Sequence, residues 1–180
     1  MAIMVNNRVI RRTQMSLEEA IKASGDPAIP ATDPRTYTGG CHCGNVRYRA
    51  TLDIGPSNVT KCNCSICHKN GYVFSPRASG TEFELLSPSS IADATVGAYE
   101  FGSQMLSHHF CKTCGVSCFF RMGVRPRGWE DSESVTYGVN LLTLDAGQGL
   151  DLRQLKFRYW NGKEEDWSGT KGEPGPNGMW

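Results

Sequence analysis

Cys41-His-Cys43, Cys62-Asn-Cys-Ser-Ile-Cys67 and Cys111-Lys-Thr-Cys114 carry seven of the chain's eight cysteines. Thiols one or two residues apart can close on a single tetrahedral ion, because the backbone between them turns tightly enough to bring both sulfurs to ~2.3 Å from a metal. Zinc is therefore the first hypothesis. Seven ligands divide into four plus three, and that asymmetry carries the functional reading: structural zinc sites are filled by protein, whereas catalytic ones keep a position for water or substrate. Cys41 and Cys43 are alternate residues at a strand end or turn. Cys111-Lys-Thr-Cys114, with Gly115 behind it, has the knuckle shape of zinc ribbons, the glycine letting backbone amides turn toward sulfur. The early and late pairs make one closed site tying two ends of a sheet together. Cys62, Cys64 and Cys67 offer three thiolates from one compact loop, which would hold a second ion with one face uncovered.

Outward from the cysteines the pattern is that of strands. Val46, Tyr48 and Ala50 alternate with Arg47 and Arg49, Phe83 and Leu85 with Glu82 and Glu84, and Val135, Tyr137 and Val139 repeat the period of two. Glycines and prolines punctuate these runs, as an antiparallel all-β domain over residues 36–160 requires. Before it, residues 1–35 read as an extension: Ser16-Leu-Glu-Glu19 is a capping box opening a short helix, and Pro27, Pro30 and Pro34 make a linker. After it, residues 161–180 form a tail with five glycines and two prolines, whose Trp167 and Trp180 are able to pin it against the domain or a neighbouring subunit.

A chain of 180 residues is most simply one domain with a real core. A formal charge of +1 argues against a nucleic-acid binder, which would need a basic face, and Arg8, Arg11 and Arg12 read as a solvated tail. No apolar run is long enough for a membrane span or a signal peptide, so a reducing, cytoplasmic location is expected, where clustered cysteines bind metal rather than pair. The partner is a small molecule. The oligomeric state is open, a homodimer included.

Three thiolates overcompensate a zinc ion's charge and weaken it as a Lewis acid, so soft sulfur suits its open position better than water. A substrate thiol held there as thiolate can add to a carbonyl or leave from a carbon bearing sulfur. His68, His108, His109 and Cys118 are the residues able to close the triple group instead. His108, in phase with Leu106 and Phe110, reads as a satisfied core histidine, His109 falls on the Cys111 side, and Cys118, in phase with Val116 and Phe120, reads as a buried inert thiol. His42 should point away from the metal of its neighbours. Lys61, Lys69 and Lys112 flank the clusters and read as solvated lysines, with offsetting the clusters' charge as the alternative. The proton that the carbonyl chemistry moves is assigned to His68, at the rim beside Cys67, with His109 next. Arg49 and Arg77 are the cations chosen to anchor carboxylates of a thiol such as glutathione.

Gly39-Gly-Cys-His-Cys-Gly-Asn-Val-Arg-Tyr48, Cys62-Asn-Cys-Ser-Ile-Cys-His-Lys-Asn-Gly71, Tyr99-Glu-Phe-Gly-Ser103 and His109-Phe-Cys-Lys-Thr-Cys-Gly-Val116 resemble, in order and spacing, the glutathione-dependent formaldehyde-activating family that includes centromere protein V. Val139-Asn140 and Tyr159-Trp-Asn-Gly162 resemble its closing segment. The resemblance implies a β-tent fold, a structural zinc on Cys41, Cys43, Cys111 and Cys114, and a second zinc on Cys62, Cys64 and Cys67 where glutathione and formaldehyde are joined, a carbon–sulfur lyase reaction in reverse. The ending Gly172-Glu-Pro-Gly-Pro-Asn-Gly-Met-Trp180 is similar to fungal members. A lyase, dehydratase or isomerase acting on a fungal secondary metabolite, and a non-catalytic zinc module, are the competing readings.

Overall fold

Alternation becomes strand where the period of two predicts it. In the computed structural model, which describes residues 4–5, 8–9, 34–55, 59–76, 78–79, 81–102, 104, 106–123 and 135–164, Arg35–Gly40 (β3), Arg47–Leu52 (β4) and Phe83–Ser87 (β7) form an antiparallel sheet in the order β3-β4-β7. On β4 the side chains of Tyr48, Ala50 and Leu52 are buried, while Arg49 between them is exposed. Met4–Val5 (β1) and Arg8–Val9 (β2) pair with each other. The expected helix at Ser16–Glu19, the proline linker, Arg77 and the two tail tryptophans lie outside the described residues.

A larger antiparallel sheet runs β6-β11-β10-β9-β8, built from Ala78–Ser79 (β6), Thr136–Val139 (β11), Ser117–Met122 (β10), Leu106–Cys111 (β9) and Val96–Glu100 (β8). One face carries Val96, Phe119 and Val139 and packs on the smaller sheet: the ring of Phe83 stacks on Tyr137 with centroids 4.3 Å apart and lies 4.9 Å from Phe119. Tyr48, Val46, Leu52, Ile54 and Val59 complete this main core. Each large side chain so buried stabilises the fold by about 1.5–3 kcal/mol. A bulge between Ser117 and Phe119 sets Cys118 and Phe119 both on the core side, so Cys118 is not in phase with Phe120, as the simple alternation predicts. Phe120 instead faces the opposite side, with Leu106 and Met122, toward a second cluster made by Cys62, Cys67, Tyr72, Phe74 and Trp160.

Room for Phe120 comes from Gly138 directly across from it on β11, where an added Cβ would lie 2.1 Å from the ring. Gly138→Ala is expected to lower stability by about 1–3 kcal/mol, the usual cost of overpacking, read as a drop in the urea midpoint at constant slope. An unchanged midpoint would mean that the ring swings aside freely.

Two elements depart from the antiparallel pattern. Val59–Cys62 (β5) and Phe157–Trp160 (β12) pair in parallel, from Phe157 beside Val59 to Trp160 beside Cys62. Directly after β5, Ser65–Asn70 folds as a short helix (α1), closed by Gly71 in the left-handed region at φ 61°, whose amide donates to the carbonyls of Cys67 and His68. No helix among the described residues is long and apolar enough to cross a membrane.

Candidate metal centres

The two hairpin turns that carry the paired cysteines are built alike. After β3, the amide of Cys41 donates to the Val46 carbonyl and Gly44 takes φ 84°; after β9, the amide of Cys111 donates to the Val116 carbonyl and Gly115 takes φ 75°. A left-handed glycine behind the second cysteine turns the chain back while exposing amides to sulfur. Val46 N–H donates to Cys41 Sγ at 3.2 Å. The four sulfurs lie within 4.8 Å of one another, with Cys41 to Cys43 and Cys43 to Cys111 both at 3.6 Å. Sulfurs at ~2.3 Å from a common ion stand ~3.8 Å apart, so the set fits a tetrahedral zinc and is far too open for disulfides. Burial raises the Cys114 thiol, but the amides of Val116 and Cys43 and the thiols of Cys111 and Cys43 outweigh it and lower the pKa to about 6. The group joins the β3–β4 hairpin of one sheet to the β9–β10 hairpin of the other.

Cys62 ends β5, Cys64 is the extended residue before α1, and Cys67 is buried within the helix, so one turn of chain gathers three sulfurs within 4.8 Å. Among the described residues no fourth cysteine, histidine or carboxylate joins them. Hydrogen bonds from the thiols of Cys62 and Cys67, with the amides of Cys67 and Ile66, bring Cys64 down to about 2 against the effect of burial. Cys67 is pushed up, by sharing hydrogen bonds with Cys62 and Cys64 and then by burial. All three can be thiolates together only around a cation, and an all-sulfur set suits zinc.

What holds this loop is Asn63. Its side-chain amide donates to Asn161 Oδ1 at 2.8 Å, its Oδ1 accepts from the Lys163 amide at 3.1 Å, and its own amide donates to the Trp160 carbonyl at 3.2 Å. The wall beside it is aromatic. Tyr72, whose amide donates to the Cys67 carbonyl, stacks on Phe74 at 4.7 Å and on His108 at 5.5 Å. His108 stacks in turn on Phe101 at 5.8 Å, and Phe101 on Tyr99 at 5.5 Å. The row of rings thus passes from buried Phe74 to Phe101 and Tyr99, which are 47% and 50% exposed.

The other expected site residues lie on several elements. His68 lies exposed on α1 with its amide on the Cys64 carbonyl. His42 is exposed in the turn between Cys41 and Cys43. Arg49 leaves the outer face of β4 to pair with Glu84, and Lys61 lies 4.4 Å over the Phe157 ring, its pKa lowered by burial. His109 is stacked on Phe119 inside the main core, on the face of β9 away from the triple group, and burial lowers its pKa to about 4. Cys118 is buried near the four-cysteine group with its thiol raised to about 12 by burial, an inert role. Asn63 and Tyr72 are residues that sequence reasoning did not place at the site, and His108, weighed there as a closing ligand, was read as a core histidine.

A family model described as glutathione-dependent formaldehyde-activating enzyme matches residues 36–151. Among solved structures, a crystal structure of a Rhodobacter sphaeroides protein is similar at 25% sequence identity and a TM-score of 0.49, covering 67% of this chain and 98% of that one.

Proposed function

The chain belongs to the glutathione-dependent formaldehyde-activating enzyme family, and on that premise we propose that it makes and breaks carbon–sulfur bonds between glutathione and an aldehyde or related electrophile, as a carbon–sulfur lyase. The observation that carries this reading is the convergence of three thiols, Cys62, Cys64 and Cys67, into a group of three among the described residues. A zinc ion held by them would supply a soft cationic centre with room for one more sulfur. The chain's own residues do the rest. Asn63 fixes the loop, and the rings of Tyr72, Phe74 and Phe120 line a dry wall in which a thiolate is poorly hydrated and more reactive. Arg77 and Arg49 are the proposed anchors for the glutathione carboxylates, Arg49 by exchanging its partner Glu84. His68 at the rim and His108 in the wall are the imidazoles available to the reacting oxygen and its proton. The four-cysteine group would hold a structural zinc. None of the eight cysteines is paired in a disulfide, which accords with a reducing, cytoplasmic location.

Calorimetry on zinc-loaded protein tests the substrate: glutathione should bind with submillimolar affinity, and S-methylglutathione, which cannot form a thiolate, markedly more weakly. No heat with glutathione at millimolar concentration would reassign the site to a sulfur-free metabolite.

A further inference from the structure

The thiol-adduct reading leaves one demand unmet. When sulfur adds to a carbonyl carbon, the S–C bond forms, the π pair of C=O moves onto oxygen, and the proton given up by the thiol ends on that oxygen. Atoms and charge balance without an oxidant or reductant, but negative charge builds on the oxygen before the proton arrives. In a wall of hydrocarbon rings that oxygen needs a donor.

We propose that His108 is that donor, its ring nitrogen Nδ1 hydrogen-bonding the carbonyl-derived oxygen beside the Cys62, Cys64 and Cys67 group. This rests on the thiol-adduct reading. His108 is only 4% exposed and sits on the face of β9 that turns to the triple group, opposite Phe120 on β10. Its ring is held flat between Tyr72 at 5.5 Å and Phe101 at 5.8 Å, with interplanar angles of 25° and 12°. Nδ1 of His108 meets no donor or acceptor among the described residues. A buried nitrogen left this way costs about 1–3 kcal/mol, which a bound oxygen would return. Burial lowers the His108 pKa, although the Cys64 charge works against it, so the imidazole is neutral near pH 7 and, in its Nδ1–H tautomer, donates without carrying charge. His68 has no such setting: exposed on α1, it would offer its hydrogen bond in competition with water. His109, the other buried imidazole of β9, faces the main core.

The test uses the zinc-loaded full chain, with glutathione and formaldehyde as the probe pair. His108→Phe keeps a ring in the stack and removes Nδ1; His108→Asn returns a donor near the Nδ1 position. The first is expected to keep its zinc content and its glutathione affinity within about three-fold, while kcat falls ~100-fold or more, the usual effect of deleting one oxyanion donor. His108→Asn should recover at least about ten-fold of that loss, which a merely structural histidine would not do. Turnover by His108→Phe within about three-fold of wild type overturns the proposal, as does a ~100-fold fall in His68→Gln with His108→Phe unaffected. Should His108→Phe fail to fold, His108→Asn against His108→Ala decides, equal rates overturning it. A wild-type protein that leaves the addition at its uncatalysed rate overturns the thiol-adduct reading and this inference together; an active wild type beside an active His108→Phe overturns only the inference.

Discussion

Cys111→Ala is expected to give a chain that does not fold cooperatively and holds no stoichiometric zinc at the four-cysteine group. Cys111 is fully buried at the end of β9, its sulfur 3.6 Å from that of Cys43. The two hairpins it helps to join belong to different sheets, and the glycine turns at Gly44 and Gly115 shape them around sulfur. Structural zinc binds small domains with apparent energies of about 10–16 kcal/mol, against a total stability of about 5–15 kcal/mol for an ordinary domain. Losing one of four ligands therefore removes more than the remaining packing can supply. Circular dichroism melting with metal analysis checks it. A cooperative transition within a few degrees of wild type would show that the sheets hold without the metal.

Cys64→Ala is expected to do the opposite: the domain folds, one zinc of two is lost, and turnover falls to the uncatalysed rate. Cys64 is half-buried at the start of α1 and gives the helix no side-chain cap, while Gly71 closes the other end. The loop keeps its three Asn63 hydrogen bonds to residues 160–163. Nothing in the main core touches the change, so the melting transition should stay near wild type while the metal count drops. If Cys64→Ala and Cys111→Ala unfold alike, or wild type holds a single ion, the four-plus-three division is wrong.

The division itself was legible because ligand spacing is a local property: a Cys-x-Cys or Cys-x-x-Cys turn brings its own sulfurs together whatever the rest of the chain does. The alternation of Tyr48, Ala50 and Leu52 was legible for the same reason, since a strand's two faces are written two residues apart. Long-range placement was not. That His108 and not His109 turns to the triple group depends on which face of β9 the loop after β5 covers, and alternation divides the two histidines without saying which division is which. The bulge at Cys118 broke a phase that ran correctly on either side of it. Helix α1 has six residues, too few for an apolar stripe to repeat. Arg49 was chosen for nearness in sequence, which does not show its pairing with Glu84 on the neighbouring strand.

The parallel pairing of β5 with β12 sets an order of events during synthesis. Asn63 is bonded to Asn161 across a separation of 98 residues, and such distant contacts close late because the intervening chain must first be gathered. The four cysteines of the paired group can meet once residue 114 is available, and the larger sheet is complete once β11 ends at Val139. The strand beside Cys62, and the clamp on the loop that follows, must wait for residues 157–163. A ribosome-bound chain therefore carries its four-cysteine group before its three-cysteine group, and the thiols of Cys62, Cys64 and Cys67 are set in their final geometry only when residues 157–163 have been made.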